Sequence, residues 1–370
     1  MPHDPYKALY IHIPFCAYKC FYCDFYSHAA KQDSMQISDY VDRLLLEIRR
    51  KSKEGELANI ETVYFGGGTP SHLGSKYLSS LLYMLSHSMR IEPDVEVTLE
   101  ANPESVDAAL VRDLFALGVN RMSIGVQSTD DEILKTIGRR HSACDALKAI
   151  SLARTRFENV SADIICGIPG QSEESLINSI TDVVDAGATH VSIYPLTIEE
   201  HTVLSKMCMQ GKFPVPDEDI EAHHMDVASN TLASFGFERY EVASYAKPGF
   251  ECKHNLFYWS GVPYLGLGDS AVTMTQNETR RMRVQDGHVT DDLNKAQMTA
   301  EDLMLAMRKT CGVGENEIEN AKAYIDGVSE TFDELCELGL VEHVDDRFKP
   351  TKLGWLCGNE LYGKIFDLAP

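Results

Sequence analysis

Six times between Lys7 and about Thr197 the chain repeats the same alternation: a short β-rich run, then an amphipathic helical stretch. The strand runs are "ALYIHIP", "ETVYFGGG", "DVEVTLEAN", "RMSIGVQS", "SADIICGIPG" and "HVSIYPLT". Each is compact, rich in Val, Ile, Tyr or Thr, and closed by polar or Gly/Pro residues. The stretches between them include "YVDRLLLEIRRK", "SVDAALVRDLFALG" and "SLINSITDVVDAG", with helical spacing of their apolar residues. Such a series requires a parallel sheet with right-handed crossovers. Six units are too few for a closed eight-stranded barrel. The expected fold is therefore α/β, an incomplete (β/α)6 barrel or curved open sheet. Polar and glycine-rich residues follow the strands, at the ends where such sheets bind ligands.

After about residue 200 the rhythm changes. "KFPVPDED" reads as a linker or turn, "IEAHHMDVASNTLASFG" as a helix closed by Gly236, and "FERYEVASYA" as one strand. "KPGFECKHNLFYWSGVPYLGLGDSA" is aromatic and turn-rich, and from roughly Thr299 the pattern is mainly helical. The last segment predicts a helix, a short hairpin and a final helix, a winged-helix-like arrangement. The domains expected are 1–200, the partial barrel; 201–290, a barrel-closing or linking region; and 291–370, a smaller, mainly helical domain.

A formal net charge of −22 over 370 residues argues against broad nucleic-acid binding, which depends on basic phosphate contacts. The basic runs at Arg139–His141 and Arg280–Arg283 read as solvated surface. The N-terminus does not resemble a signal peptide, and no apolar stretch approaches the roughly 20 residues of a membrane helix. A soluble, cytoplasmic protein is expected. In that setting ten cysteines are not a disulfide framework. Seven of them, from Cys144 to Cys357, read as free, buried thiols. The other three, Cys16, Cys20 and Cys23 in "CAYKCFYCDFY", have C-x3-C-x2-C spacing immediately after the first strand. Three thiolates select zinc, copper(I) or an iron–sulfur cluster. His12 and His28 lie close enough in sequence to complete a Cys3His zinc site. The alternative is a [4Fe–4S] cluster with one iron left without a protein ligand. Phe15, Phe21, Tyr22 and Phe25 would shield such a cluster from water.

That spacing in that context resembles the radical S-adenosylmethionine (SAM) superfamily, in which SAM chelates the open iron and accepts one electron from the cluster. The resemblance narrows to the group containing oxygen-independent coproporphyrinogen III dehydrogenase. "LYIHIPFCAYKCFYCDF", "YFGGGTPS", "LEANPE", "GVQS", "GRRH" and "DIICGIPGQ" run in that group's order. It implies Cys16, Cys20 and Cys23 as cluster ligands. Tyr10, Gly67, Gly68, Thr69, Glu100, Gln127, Arg139 and Asp163 are the implied SAM contacts. Two departures separate the chain from the dehydrogenase itself. Phe25 stands where the enzyme has a further cysteine, and only fifteen residues precede Cys16. Both features are those of the related haem chaperones, the HemW family.

"HNLFYW", His254 to Trp259, matches the H-N-x-x-Y-W motif of that family and implies His254 as a haem contact, with Tyr258 and Trp259 offering flat faces. "YLGLGDSAVT" lacks the histidine expected after its Gly-x-Gly, which leaves the haem-iron ligands open. The reading is a haem chaperone with a SAM-ligated cluster, an unidentified haem-acceptor protein and an electron donor. It names no catalytic residue, no nucleic-acid partner and at most transient membrane contact. The alternatives are the dehydrogenase, decarboxylating coproporphyrinogen III, and a tRNA-modifying radical SAM enzyme.

Overall fold

The computed structural model describes residues 5–89 and 94–370. Strands β1 (Ala8–Ile13), β2 (Thr62–Gly67), β3 (Glu96–Ala101), β4 (Arg121–Gln127), β5 (Asn159–Cys166) and β6 (His190–Pro195) lie side by side in chain order. All five pairings are parallel. Helices α1 (Met35–Lys53), α2 (Gly74–Ser88), α3 (Ala108–Ala116), α4 (Ala143–Arg154) and α5 (Glu173–Asp185) supply the crossovers that parallel strands need. Four of these helices start on side-chain caps: Ser34, Asp107, Ser142 and Ser172 each accept from a first-turn amide.

Alternation along the strands sorts two chemistries. Leu9, Ile11, Val63, Phe65, Leu99, Met122, Ile124, Ile164 and Ile193 pack with the helices into the main core. Their neighbours on the other face are polar: Thr62, Thr98, Glu100, Ser123, Ser161 and Asp163. One cavity is lined by the loop after β1 and by the ends of β2 through β6. A flat six-stranded sheet would hold those ends up to ~24 Å apart, at ~4.8 Å per strand. The sheet is therefore curved, as part of a barrel, with its polar face inside.

The chain then lengthens this sheet at both edges. Past β6 come β7 (Glu238–Arg239) and β8 (Ser244–Ala246), both antiparallel. They replace the single strand expected over "FERYEVASYA", because the backbone bends between them. On the other edge β9 (Tyr264–Leu267) adds a seventh parallel strand beside β1. The antiparallel strands β10 (Val272–Gln276), β11 (Arg280–Gln285) and β12 (His288–Asn294) continue from it. In the chain, α6 (Glu218–Ser234) precedes β7, and the short α7 (Lys253–Tyr258), which contains most of the HNLFYW segment, precedes β9. A second core follows, in which Phe332, Leu335, Leu361 and Ile365 join α8 (Lys295–Ala306), α9 (Val328–Glu337) and α10 (Gly358–Phe366). Beside it, β13 (Val313–Gly314), β14 (Val341–Val344) and β15 (Arg347–Pro350) form a three-stranded wing. Among the described residues no helix is long and apolar enough to cross a membrane.

Three sequence expectations are corrected here. The basic runs are solvated only in part: Arg140 and Arg280 are exposed, but Arg139, His141 and Arg281 are buried. Arg281 is drawn in by Glu301 and Asp302, at 2.5 and 2.7 Å. Of the seven scattered cysteines all are free, but only Cys166 and Cys252 are buried, and Cys144 and Cys311 are exposed on helix and turn surfaces. Phe25 covers the cysteine cavity only in part: it lines the cavity, yet the residue is 68% exposed. Its carbonyl accepts from Lys19 Nζ and Ser27 Oγ, which fixes the backbone while the ring faces solvent.

Candidate functional site

The cavity at the strand ends has a volume of about 760 Å3. Cys16, Cys20 and Cys23 line it, together with seven further residues singled out in the sequence: Gly67, Gly68, Thr69, Glu100, Gln127, Arg139 and Asp163. The loop carrying the thiols is fastened at both ends. Phe15–Cys16 pairs with His28–Ala29, and the Phe21 amide donates to Ile137 O at 3.2 Å. The Tyr18 hydroxyl accepts from the Arg140 amide at 3.0 Å, and its ring lies 4.3 Å from the Arg140 guanidinium.

Glycine is required where the β2 turn meets this loop. Gly67 has φ +110°, and a Cβ there would lie 2.5 Å from the His12 ring. A Cβ on Gly68 would sit 2.8–2.9 Å from the backbone of Ile13 and Phe15. Only bare backbone fits between β1 and the cavity. Gln127, at the end of β4, holds φ +68° beside a register shift in the β4–β5 pairing. Non-glycine residues in that region concentrate at functional sites.

A chain of hydrogen bonds joins two of the thiols across the strand ends. Thr69 Oγ1 donates to Cys16 Sγ at 3.4 Å and accepts from Asn102 Nδ2 at 3.0 Å. Asn102 Oδ1 accepts from Arg139 Nη2 at 2.8 Å, and Arg139 Nη1 donates to Cys20 Sγ at 3.5 Å. Arg139 also donates to Gly125 O at 2.6 Å. The guanidinium is thus committed to the protein on several sides, and its charge faces a sulfur. Asn102 was missed in the sequence, although it stands inside the quoted "LEANPE"; position after a strand was the available signal.

Two buried carboxyls, Glu100 on β3 and Asp163 on β5 with β4 between them, line the same cavity. Glu100 accepts from Tyr64 Oη at 2.7 Å, and burial, with Asp163 nearby, pushes it up to about 7. Burial also raises Asp163, opposed by Arg121 and by the Ser123 and Ser161 hydroxyls that donate to it. Both carboxyls are therefore held above the ordinary carboxylate range, and a cationic ligand would favour their charged forms.

Two of the residues singled out are not brought to the cavity. Tyr10 lies one layer below, stacked on Tyr64, with its hydroxyl 3.1 Å from His12 Nδ1. His254 is buried nearer the opposite ends of the strands. Its Nδ1 is 2.8 Å from Thr62 Oγ1, its ring stacks on Tyr64, and its Nε2 has no hydrogen-bond partner. Burial pushes its pKa down to about 3, so the imidazole stays neutral. Glu96 caps the helix carrying it, accepting from the Lys253 and His254 amides at 3.0 and 3.1 Å.

The donor set tests which metal group fits. Among the described residues no three His, Cys, Asp or Glu side chains converge as they would on a single ion. His12 is not free to complete a zinc site, because its Nε2 is 2.8 Å from Tyr26 O and its Nδ1 is engaged with Tyr10. Three sulfurs spread along one cavity wall, two of them receiving hydrogen bonds, suit a polynuclear iron–sulfur cluster.

Comparison with known proteins agrees with this geometry. The family model described as Radical SAM superfamily matches residues 10–183. The chain is 32% identical to the Heme chaperone HemW of Bacillus subtilis, over 96% of this chain and 98% of that one. It is 38% identical to the Escherichia coli protein of the same name, over 72% and 70%. It is also 32% identical to the mouse mitochondrial radical S-adenosyl methionine domain-containing protein 1, over 90% and 81%. Among solved structures, coproporphyrinogen III oxidase (HemN) from Escherichia coli superposes with a TM-score of 0.79. That match covers 98% of this chain and 90% of the other at 20% identity, and it establishes the fold.

Proposed function

We propose, from the premise that this chain belongs to the radical SAM superfamily and within it to the HemW family, that it is a haem chaperone. It would bind haem as cargo and pass it to an acceptor protein. The observation that carries the reading is kinship with haem chaperones along almost the whole chain. In this reading Cys16, Cys20 and Cys23 hold a [4Fe–4S] cluster. When bound, that cluster supplies one-electron reduction to a sulfonium ligand such as SAM. Gly67 and Gly68 let the backbone close on the ligand, and the Glu100–Asp163 pair offers a carboxylate to an ammonium or to ribose hydroxyls. Thr69, Asn102 and Arg139 orient the thiols and hold positive charge beside Cys20, while Gln127 is held in its strained conformation at the rim. Tyr10 acts from below through His12 and Tyr64. In this reading the protein works in the cytoplasm with an electron donor, and any contact with a membrane is transient.

The test is anaerobic reconstitution of the cluster, then titration with haem. In a parallel sample SAM, a reductant and coproporphyrinogen III are supplied. Stoichiometric haem uptake without formation of protoporphyrinogen IX is the expected result. Turnover of the porphyrinogen without haem uptake would make the protein a dehydrogenase and overturn the reading.

A further inference from the structure

A second cavity, of about 1110 Å3, lies between the β6–β8 edge of the sheet and the last helices. It exceeds the ~300–1,000 Å3 of ordinary small-molecule clefts. Both tryptophans of the chain, Trp259 and Trp355, line it. Two arginines sit against them. The Arg308 guanidinium lies 4.9 Å from the Trp259 ring centroid and 4.6 Å from that of Tyr362. The Arg239 guanidinium lies 4.7 Å from Trp355 and 5.2 Å from Tyr245.

Neither arginine appears in an ion pair among the described residues, whereas Arg280, Arg281, Arg283 and Arg347 all do. Acidic residues outnumber basic ones by 56 to 34, so two unpaired guanidiniums in one cleft are unexpected. Both side chains are half-buried, and Arg239 Nη2 donates to Val242 O at 2.9 Å. The Nε atoms of both, and the Tyr362 hydroxyl, are buried without a hydrogen-bond partner. Two of the cleft's own carboxylates have partners within it: Asp226 pairs with Lys352 at 2.7 Å, and Glu241, which also feels the Arg239 charge, accepts from Trp259 Nε1 at 3.0 Å. Glu218 and Glu221 stand on α6, and burial raises Glu221 toward its neutral form. The arrangement offers flat aromatic surface and two planar, unpaired cations, the complement of a planar ligand with two carboxylates.

We propose that this cleft holds the porphyrin cargo, with Arg239 and Arg308 taking its two propionates and Trp259 and Trp355 flanking the macrocycle. The ligand's identity rests on the haem-chaperone reading; the site rests on the geometry. The HNLFYW segment then serves through its last residue. His254 and the Glu96 cap anchor α7 in the barrel interior, and Trp259 stands at its end in the cleft. Tyr194 and Pro195 line both this cleft and the cysteine cavity, so the two sites share a wall.

The test is titration of the full chain with haem, protoporphyrin IX and protoporphyrin IX dimethyl ester, read by Soret absorbance. Each of Arg239→Gln and Arg308→Gln is expected to weaken haem and protoporphyrin IX about tenfold, as loss of a charged hydrogen bond does. The ester should bind wild type and the double variant equally weakly. Arg308→Lys should recover part of the loss, which separates a charge effect from misfolding. Haem bound by the double variant with wild-type affinity, or ester bound as tightly as the acid, would overturn the assignment. A wild type that takes up no haem would instead overturn the chaperone reading on which the ligand rests.

Discussion

The two cavities share a wall at Tyr194 and Pro195, yet they are built on opposite principles. In the cysteine cavity the polar side chains bond one another: Thr69, Asn102 and Arg139 form a continuous chain between two sulfurs, although Arg139 Nε is buried without a partner. In the aromatic cleft the arginines are held by rings on their faces, with one hydrogen bond, from Arg239 Nη2 to Val242 O, among the described residues. The first arrangement fixes ligands within hydrogen-bond tolerance, as a site for a small cofactor requires. The second keeps charge available for something that comes and goes. A resident cofactor and a transferable cargo need different sites, and this contrast is open to experimental attack.

The hardest test removes the first site altogether. Replacing Cys16, Cys20 and Cys23 together by Ala should abolish all cluster absorbance after reconstitution. The fold should remain, because its two cores are made elsewhere. Circular dichroism and thermal melting check the fold, and haem titration should still report the second cleft. Unfolding of the variant would mean that the thiols hold a structural metal.

A subtler change breaks the relay between the sulfurs. Asn102→Ala removes both the donor to Thr69 and the acceptor for Arg139, leaving Arg139 with Gly125 O and the sulfur. A broken buried hydrogen-bond network costs about 1–3 kcal/mol, and SAM affinity should fall about tenfold. Asn102→Asp keeps the acceptor for Arg139 and loses the donor to Thr69, so it should lie between the two. Isothermal titration on reconstituted protein measures both. A drop in haem uptake of similar size would show that the cavities are one functional unit.

How far the sequence carried the reading differs between the two cavities for the same physical reason. Cys16, Cys20 and Cys23 fall within eight residues, and Gly67, Glu100, Gln127 and Asp163 each lie in or at the end of a strand whose period is visible. The β/α repeat places all of them on one face of the sheet. The aromatic cleft draws Tyr194, Arg239, Trp259, Arg308, Trp355 and Tyr362 from a span of more than 160 residues, with no common period. Burial was misjudged wherever pairing decides it. Arg281 goes inside with Glu301 and Asp302, and Arg139 with Asn102 and Gly125, though a basic run in sequence looks solvated. The seventh parallel strand, Tyr264–Leu267, returns to β1 after a long excursion, a pairing that local pattern does not encode.

Glu100 gives the comparison a pH axis. Its carboxyl is raised to about 7, so between pH 7.5 and 6 the cavity loses the charge that would meet an ammonium group. SAM affinity should fall about tenfold over that interval, and Glu100→Gln should be weak and flat with pH. The stability effect has the opposite sense. A carboxyl raised in the folded state contributes stability that is present below its ordinary value of 4.5 and lost as pH rises through 7. Glu100→Gln should therefore raise Tm by a few degrees at pH 8 and little at pH 4. Haem binding in the other cleft should follow neither curve.

The smallest expected effect falls on the residue that looked most like a haem ligand. His254 is 3% exposed, lines neither cavity and is held neutral, with its pKa pushed down to about 3. A base lowered in the folded state contributes stability that is present above 6.5 and lost as pH falls toward 3. His254→Gln should therefore melt a few degrees lower at pH 7.5, from lost packing against Tyr64 and Thr62, and the deficit should shrink as the pH falls to 5. The Soret maximum of its haem complex should match wild type, since no iron ligand has been removed. Affinity should change no more than a few-fold, through the position of α7. Trp259→Ala, which leaves His254 in place, should weaken binding more. A shifted Soret band in His254→Gln, with Trp259→Ala binding as wild type does, would return the cargo to the histidine and remove the distinction between a buried anchor and an open cleft.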